Sequence, residues 1–418
     1  MRLTFRHISH TGPLIRVCLI LLVLAPVRLG GQPLPDRPGG LRPVPPTKPR
    51  ILPLPEAQWT GEHKQRIAKF LPPGTRPGNS FRTLLNVPDL VDRTMTLYNY
   101  VTQGSSLPPR IRELLILRTA WLHGSDVIWR ERVPFARKAG LTSDEIRKIA
   151  QGPNAAGWDA FEANLLQMAD QLFRNSFVND SVYTMMAARY DTCNVMDAGM
   201  TVADVASLAL LYNTLGVQPD DVPAADRMPM DIDYRVDVPS REAITLKAPR
   251  AVPLPGPGAN NPRTFNLCSN LAAARNGSGY VNQISMLGKT GRARHRELLI
   301  LRVGWNSQSE YEWSEHVGPV GGARKMGLPV ERITMGPDAP GWDSFEAHLL
   351  RFVDEMYRDS VVSDRTWDAL KQQYDDRLMI DATITSANYR MVSMALNILG
   401  VQSNPGEEKL PAVPKDVQ

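Results

Sequence analysis

Arg112-Glu113-Leu114-Leu115-Ile116-Leu117-Arg118 returns residue for residue, 184 positions on, as Arg296-Glu297-Leu298-Leu299-Ile300-Leu301-Arg302. The same offset carries Trp121 to Trp305, Trp129 to Trp313, Gly157-Trp158-Asp159 to Gly341-Trp342-Asp343, and Phe161-Glu162-Ala163 to Phe345-Glu346-Ala347. It also carries Tyr190-Asp191 to Tyr374-Asp375 and Leu215-Gly216-Val217-Gln218 to Leu399-Gly400-Val401-Gln402. A register held over that distance marks an internal duplication. It slips only between Pro134 and Gly152, which suits a surface turn.

Inside each copy, apolar residues recur at spacings of three and four with almost no alternation, the period of helices. Thr142-Ser143-Asp144-Glu145 has the form of a capping box, and Gly140 just before it suits the end of a preceding helix. From Asp343 to Tyr357, the residues Phe345, Leu349, Phe352, Val353 and Met356 fall on one stripe. The predicted fold is all-α: two tandem helical-bundle repeats of about six helices each, with no strand of consequence.

Proline-rich stretches punctuate the duplication at residues 32–56, Lys247–Pro262 and after Ser403. Such composition makes extended connections that build no core. The expected layout is a signal peptide at 1–31, a Pro-rich linker at 32–58, repeat one at 59–221, a linker at 222–263, repeat two at 264–402 and a tail at 403–418. The signal peptide is read from Arg2 and Arg6, the apolar run Val17–Ala25, then Pro26, Gly30 and Gly31. That run is shorter than the roughly 20 residues a membrane-spanning helix needs, so the expected location is secreted or periplasmic.

A chain of 418 residues can bury two cores, and 43% hydrophobic with 22% charged residues is soluble globular composition. With 48 basic against 43 acidic residues, no nucleic-acid footprint stands out. Of three cysteines, Cys18 leaves with the signal. Cys193 and Cys268 lie outside any C-x-x-C, so neither zinc nor a dithiol centre is indicated. Two readings are open for them: one disulfide in an oxidising compartment, or two separate buried small hydrophobes.

Chemistry concentrates after the second copy of the opening stretch. The polar run Asn306-Ser307-Gln308-Ser309 breaks the helix, and Glu310-Tyr311-Glu312-Trp313-Ser314-Glu315-His316 follows. A helix starting near Ser309 puts Ser309, Glu312 and His316 on one face. A carboxylate four residues before an imidazole can accept its N–H and fix its tautomer. Glu297 could approach from the preceding helix, with Trp305 and Trp313 as an apolar wall. Plain readings stand beside these. Ser309-x-x-Glu312 is itself a capping box, Glu297 could pair with Arg296 or Arg302, and the tryptophans recur in both copies and could be packing. Repeat one has Asp126, Ile128 and Arg132 where repeat two has Glu310, Glu312 and His316. Its scaffold persists without the acid/base pair, which puts the expected site in repeat two. One histidine with scattered carboxylates makes no metal-ligand set, and neither metal nor cofactor is expected.

Taken together, R-E-L-L-I-L-R, the following Trp, E-Y-E-W-x-x-H, a Gly-Leu turn, G-P-x-A-x-G-W and N-x-L-G-V-Q resemble carboxymuconolactone decarboxylase family domains, over roughly residues 80–220 and 264–402. The resemblance implies an all-α bundle of about six helices that assembles into homo-oligomers, a tandem chain that mimics a dimer, and a cofactor-free lyase. The related alkylhydroperoxidase D type carries a Glu and then C-x-x-C-x-x-x-H. Laid on this chain, that motif falls on Glu297, Ser309, Glu312 and His316, with oxygen residues at both sulfur positions. Peroxide reduction needs a thiolate, so that activity is not expected.

What the resemblance implies is catalysis by His316 as proton donor or relay, Glu312 as its orienting partner and Glu297 as a second acid/base group. Arg302 is the candidate for a substrate carboxylate, and Trp305, Ser309 and Trp313 complete the substrate-binding set. Muconolactone breakdown is cytosolic whereas this chain carries an export signal, so the expected substrate is another small unsaturated or carboxylated lactone, decarboxylated or isomerised. The alternative is a non-catalytic binding or assembly protein of the same fold. Expected partners are a small-molecule substrate and further copies of the chain, with no nucleic acid and no membrane once the signal is removed.

Overall fold

Three-to-four spacing of apolar residues produces helices throughout the computed structural model, which describes residues 42–234, 236, 238, 250, 268, 271, 285–289 and 291–411. In chain order these are α1 (Gly61–Phe70), α2 (Asn79–Leu84), α3 (Pro88–Asn99), α4 (Pro109–Leu122), α5 (Asp126–Lys138), α6 (Ser143–Gln151), α7 (Ala160–Asn175), α8 (Asp180–Ala187) and α9 (Thr192–Leu215). Then follow α10 (Met286–Lys289), α11 (Ala293–Ser307), α12 (Glu310–Val317), α13 (Val330–Met335), α14 (Ser344–Asp359), α15 (Asp364–Lys371) and α16 (Asp376–Leu399). No strand occurs among the described residues. The expected signal peptide, most of the 222–263 linker beyond residue 238 and the last residues of the tail lie outside the described residues.

Six helices occur twice. The bounds of α7, α8 and α9 are those of α14, α15 and α16 shifted by the sequence offset, and their caps repeat with them. Asp159 and Asp343 accept from the backbone N–H three residues on, at 2.7 and 2.8 Å, and Asp191 and Asp375 do the same for the last helix of each copy. The Thr142–Glu145 capping box forms as read, with Thr142 N–H to Glu145 at 2.8 Å.

The opening stretch becomes α4 and α11, each at the centre of its bundle. Leu114, Leu115, Ile116 and Leu117 have no exposure, because α5, α6, α7 and α9 surround α4. A helix enclosed on all sides has no polar face to show, hence the unbroken apolar run.

The two bundles join through α9 and α16, which pack on each other more extensively than any other pair. Gly199 permits this approach, since a Cβ there would lie 2.4 Å from Ile398 Cδ1. Helix α9 is apolar enough to cross a membrane, but its most apolar window is wholly buried, as befits a core helix. The seam is sealed by a polar network that repeats itself under exchange of the copies. Asn213 Nδ2 donates to the carbonyls of His123 and Ser360, and Asn397 Nδ2 donates to those of Ser307 and Ser176. Ser176 and Ser360 hold left-handed backbone (φ 52° and 58°) to present these carbonyls. Burial holds the His123 imidazole well below its usual pKa, so it enters the seam uncharged.

Two readings of the proline-rich segments need correction. Residues 42–58 are no free linker: Ile51 is buried, and the Arg50 guanidinium donates to the carbonyls of Thr214 (3.0 Å) and Val362 (2.7 Å) and pairs with Asp364. Arg250 does the same on the other copy, bonding Ile398 O and pairing with Asp180. Each arginine thus caps the C-terminus of one copy's long helix, where a cation is favoured, and ties it to the other copy. The recurrence is written in the sequence as Pro49-Arg50 and Pro53-Leu54-Pro55 against Pro249-Arg250 and Pro253-Leu254-Pro255, at a different offset from the helices. The tail likewise packs down as far as Leu410.

Cys193, in the first turn of α9, is bonded to Cys268, so the disulfide reading holds and the alternative of two separate thiols does not. The bridge spans 75 residues. Closing a loop of that size in the unfolded chain stabilises by about 4 kcal/mol. The Cys193→Ser/Cys268→Ser protein is expected to lose about that much in urea unfolding, with the slope of the transition changed because its denatured state is more open.

Candidate active site

Helices α11, α12 and α16 of repeat two converge on the predicted residues. The chain leaves α11 through Gln308, in left-handed backbone at φ 50°, and turns directly into α12. This reversal lays α12 back along α11 and brings His316 beside Glu297. Their contact is a hydrogen bond of 2.7 Å between His316 Nδ1 and Glu297 Oε2, with both side chains buried. With Glu297 accepting, Nδ1 carries the proton and Nε2 is the ring nitrogen that this contact leaves open.

The surroundings hold this pair from three sides. Arg296 donates to the other oxygen of Glu297 at 2.5 Å and, through its second terminal nitrogen, to the Tyr389 hydroxyl at 3.1 Å. The Tyr389 ring meets the imidazole edge-on, with centroids 4.9 Å apart. Over the pair runs Gly321, where a Cβ would stand 2.2 Å from Glu297 Oε2 and 2.4 Å from the His316 carbonyl. Only glycine fits there.

Glu312 does not orient His316. Its Oε2 accepts from Ser393 Oγ on α16 at 2.8 Å, and Oε1 has no partner among the described residues. Burial pushes its carboxyl well above the usual carboxylate range, with the Ser393 hydrogen bond opposing only in part. Glu297 therefore takes the orienting role expected of Glu312. The Ser309-x-x-Glu312 capping box does not form either: Ser309 is the residue before α12, but its hydroxyl does not cap the helix and is buried without a partner among the described residues.

Arg302 is not a substrate group. Its guanidinium grips both oxygens of Asp354 (2.6 and 2.9 Å) and donates to the carbonyls of Ile333 and Thr334. Arg118 makes the same set with Asp170, Ile149 and Ala150. Both tie the central helix of a bundle to its neighbours. Trp305 and Trp313 are buried, with ring centroids 6.2 Å apart, and are core rather than a wall open to substrate. Of the seven predicted residues, then, Glu297 and His316 are bonded together, Glu312 lies one helical turn away, and four serve packing or the helix turn.

Arg296 pairs with Glu297 as the plain reading of the sequence allows, whereas Tyr389, Ser393 and Gly321 join these residues without having been singled out by any motif. The signal for two of them was available, since repeat one has Val205 and Ala209 at the positions of Tyr389 and Ser393. In repeat one the imidazole is replaced by Arg132, which forms a buried ion pair with Glu113 and a hydrogen bond with Tyr98. Burial pushes several carboxyls of that copy upward, among them Glu131 to about 7 and Asp204 to about 8. Glu131 is bonded to Ser80 at 2.6 Å rather than to an imidazole. A cavity of about 540 Å³ opens elsewhere, between α14 and α15, and none of the predicted site residues lines it.

The tail fixes α12 from outside. Ser403 donates to Glu310 at 2.5 Å, Ser314 Oγ donates to the carbonyl of Glu408 at 2.8 Å, and Arg324 bridges Glu408 and Glu331. Ending the chain at Gln402 is expected to leave the bundles folded while speeding amide exchange across residues 310–317 about a hundredfold, the worth of two to three hydrogen bonds. Unchanged protection there would mean that the tail merely rests on the surface.

Residues 88–171 match the family model of the carboxymuconolactone decarboxylase family. The matched span runs from α3 into α7, within repeat one. No curated protein and no solved structure matches the chain.

Proposed function

With a carboxymuconolactone decarboxylase family domain at residues 88–171, we propose that this chain is a cofactor-free lyase or isomerase acting on a small unsaturated or carboxylated lactone, with its reaction centre in repeat two. The observation that carries this reading is the buried hydrogen bond between Glu297 Oε2 and His316 Nδ1. With Nδ1–H held by Glu297, Nε2 is the working atom. In a decarboxylation the bond to the departing carboxylate breaks and its electron pair enters the conjugated carbonyl system as an enolate. His316, protonated at Nε2, then delivers that proton to carbon. In an isomerisation Nε2 first takes a proton from one carbon and returns it to another. In both, Glu297 stabilises the imidazolium form, and positioned proton transfer of this kind contributes about 10²–10⁴ in rate.

Peroxide reduction is disfavoured, because Ser309 and Glu312 stand at the thiol positions and Cys193 and Cys268 are bonded to each other. That disulfide also supports export, since such bonds persist in oxidising compartments. A second reading, a binding protein without turnover, is favoured by one observation: the family match lies on the copy that lacks the imidazole.

The test is a screen of the protein against unsaturated and carboxylated lactones, followed by ultraviolet absorbance, with His316→Ala alongside. Turnover in the wild type that falls at least a hundredfold in the variant is expected. Equal rates in both would remove His316 from the chemistry, and silence from both would favour the binding reading.

A further inference from the structure

Three polar side chains of repeat two stand where repeat one is apolar, and a fourth, His316, stands where it has an arginine. Glu312 and His316 on α12 replace Ile128 and Arg132, and Tyr389 and Ser393 on α16 replace Val205 and Ala209. Within each pair the spacing is four residues, so the side chains stack in two layers one helical turn apart. His316 and Tyr389 meet in one layer, and Glu312 and Ser393 in the other. The first layer holds the acid/base pair. The second has no structural need to be polar, because Ile128 and Ala209 fill its counterpart in repeat one.

The hydrogen bonding of Glu312 is unequal between its two oxygens. Oε2 accepts from the Ser393 hydroxyl, whereas Oε1 is buried with no partner among the described residues and lies 3.4 Å from where a Cβ on Gly304 would stand. Among the described residues its one hydrogen-bond partner is a neutral hydroxyl, and a lone carboxylate is very costly to bury. A neutral carboxyl carries its proton on one oxygen. With the Ser393 hydroxyl donating to Oε2, the proton sits on Oε1, a donor with no acceptor among the described residues.

We infer that Glu312 is an uncharged carboxylic acid whose Oε1–H donates a hydrogen bond to the substrate oxygen that becomes anionic while His316 moves a proton, with Ser393 as the residue that positions it. This rests on the proposed acid/base reading and narrows the substrate class. The substrate carries a carbonyl conjugated to the reacting carbon, at about one helical turn (roughly 5 Å) from the proton-transfer position. Glu312 forms and breaks no covalent bond, and its proton stays in place through the cycle. Donors preorganised in a dry site act on developing charge in this way, and removing one costs about 10²–10³ in rate.

Infrared difference spectra of wild type minus Glu312→Gln, taken at pH 7 without substrate, test the charge state. The carbonyl stretch of a protonated carboxyl, shifting in D2O, is expected in this difference, and the same difference is expected on a His316→Ala background. Carboxylate bands in its place would overturn the inference while leaving the Glu297–His316 pair standing. Stability supplies a second readout independent of substrate. A carboxyl whose folded pKa is raised is stabilising below its unfolded value, and that contribution is lost as pH rises toward the folded value. Glu312→Gln should therefore gain in melting temperature relative to wild type from pH 5 to pH 9, and a gap that does not widen overturns the inference. On any lactone found to be turned over, Glu312→Gln, which keeps an N–H donor, should lose less than about tenfold in kcat. Glu312→Leu should lose about 10²–10³-fold with KM little moved, and a leucine variant as fast as wild type would also overturn the donor role.

Discussion

Arg302→Ala is expected to cost about 3–5 kcal/mol of stability and to leave no specific signature in KM. The guanidinium is 2% exposed and its partner Asp354 is 4% exposed, so truncation strands a buried carboxylate and releases two backbone carbonyls at once. Arg118→Ala should behave alike, because its partners are the same down to the two carbonyls at the end of the short helix α6, the counterpart of α13. Urea unfolding of both variants checks this. A well-folded Arg302→Ala protein with a raised KM would restore Arg302 to the substrate.

Glu297→Gln is expected to fold normally and to lose on the order of 10³ in kcat, within the range for positioned acid/base groups. Glutamine keeps the shape and can still accept from Nδ1, but it no longer supplies the negative charge that stabilises an imidazolium at His316. Arg296 would lose its anion as well, so the loss should be only partly recovered by Glu297→Asp, whose shorter arm reaches less well. The comparison with Glu312→Gln separates the two carboxyls: one must be charged and the other must not. Equal losses at both positions would mean that the roles have been divided wrongly.

The all-α architecture was legible because the duplication repeats the signals of local structure, not only the hydrophobic pattern. Asp159 and Asp343, Asp191 and Asp375, and Gly216 and Gly400 begin or end the same helices in both copies. Errors came where a local rule met a distant partner. Ser309-x-x-Glu312 satisfies the rule for a capping box, yet Ser393, more than eighty residues away, holds the glutamate instead. His316 and Glu312 share a helix face as the spacing requires, but Glu297 on the facing helix makes the shorter connection. Arg302 recurs as Arg118 together with its partner Asp354 as Asp170, which is the mark of a structural pair, but the aspartates lie outside the shared heptapeptide that draws attention to the arginines. The arms bearing Arg50 and Arg250 escaped because their motif recurs at a different offset, so a search at the helical register passes over them.

In the proposed function, proton transfer belongs to repeat two and depends on the imidazole of His316. Repeat one supplies the control, since Arg132 occupies the same place and pairs with Glu113 within an intact bundle. The decisive measurement is kcat for the reciprocal pair His316→Arg and Arg132→His, on a lactone turned over by the wild type. His316→Arg is expected to fold with its arginine paired to Glu297 and to lose at least a hundredfold in kcat, while Arg132→His keeps the wild-type rate. Wild-type turnover in His316→Arg, or turnover lost in Arg132→His alone with its fold intact, would contradict it.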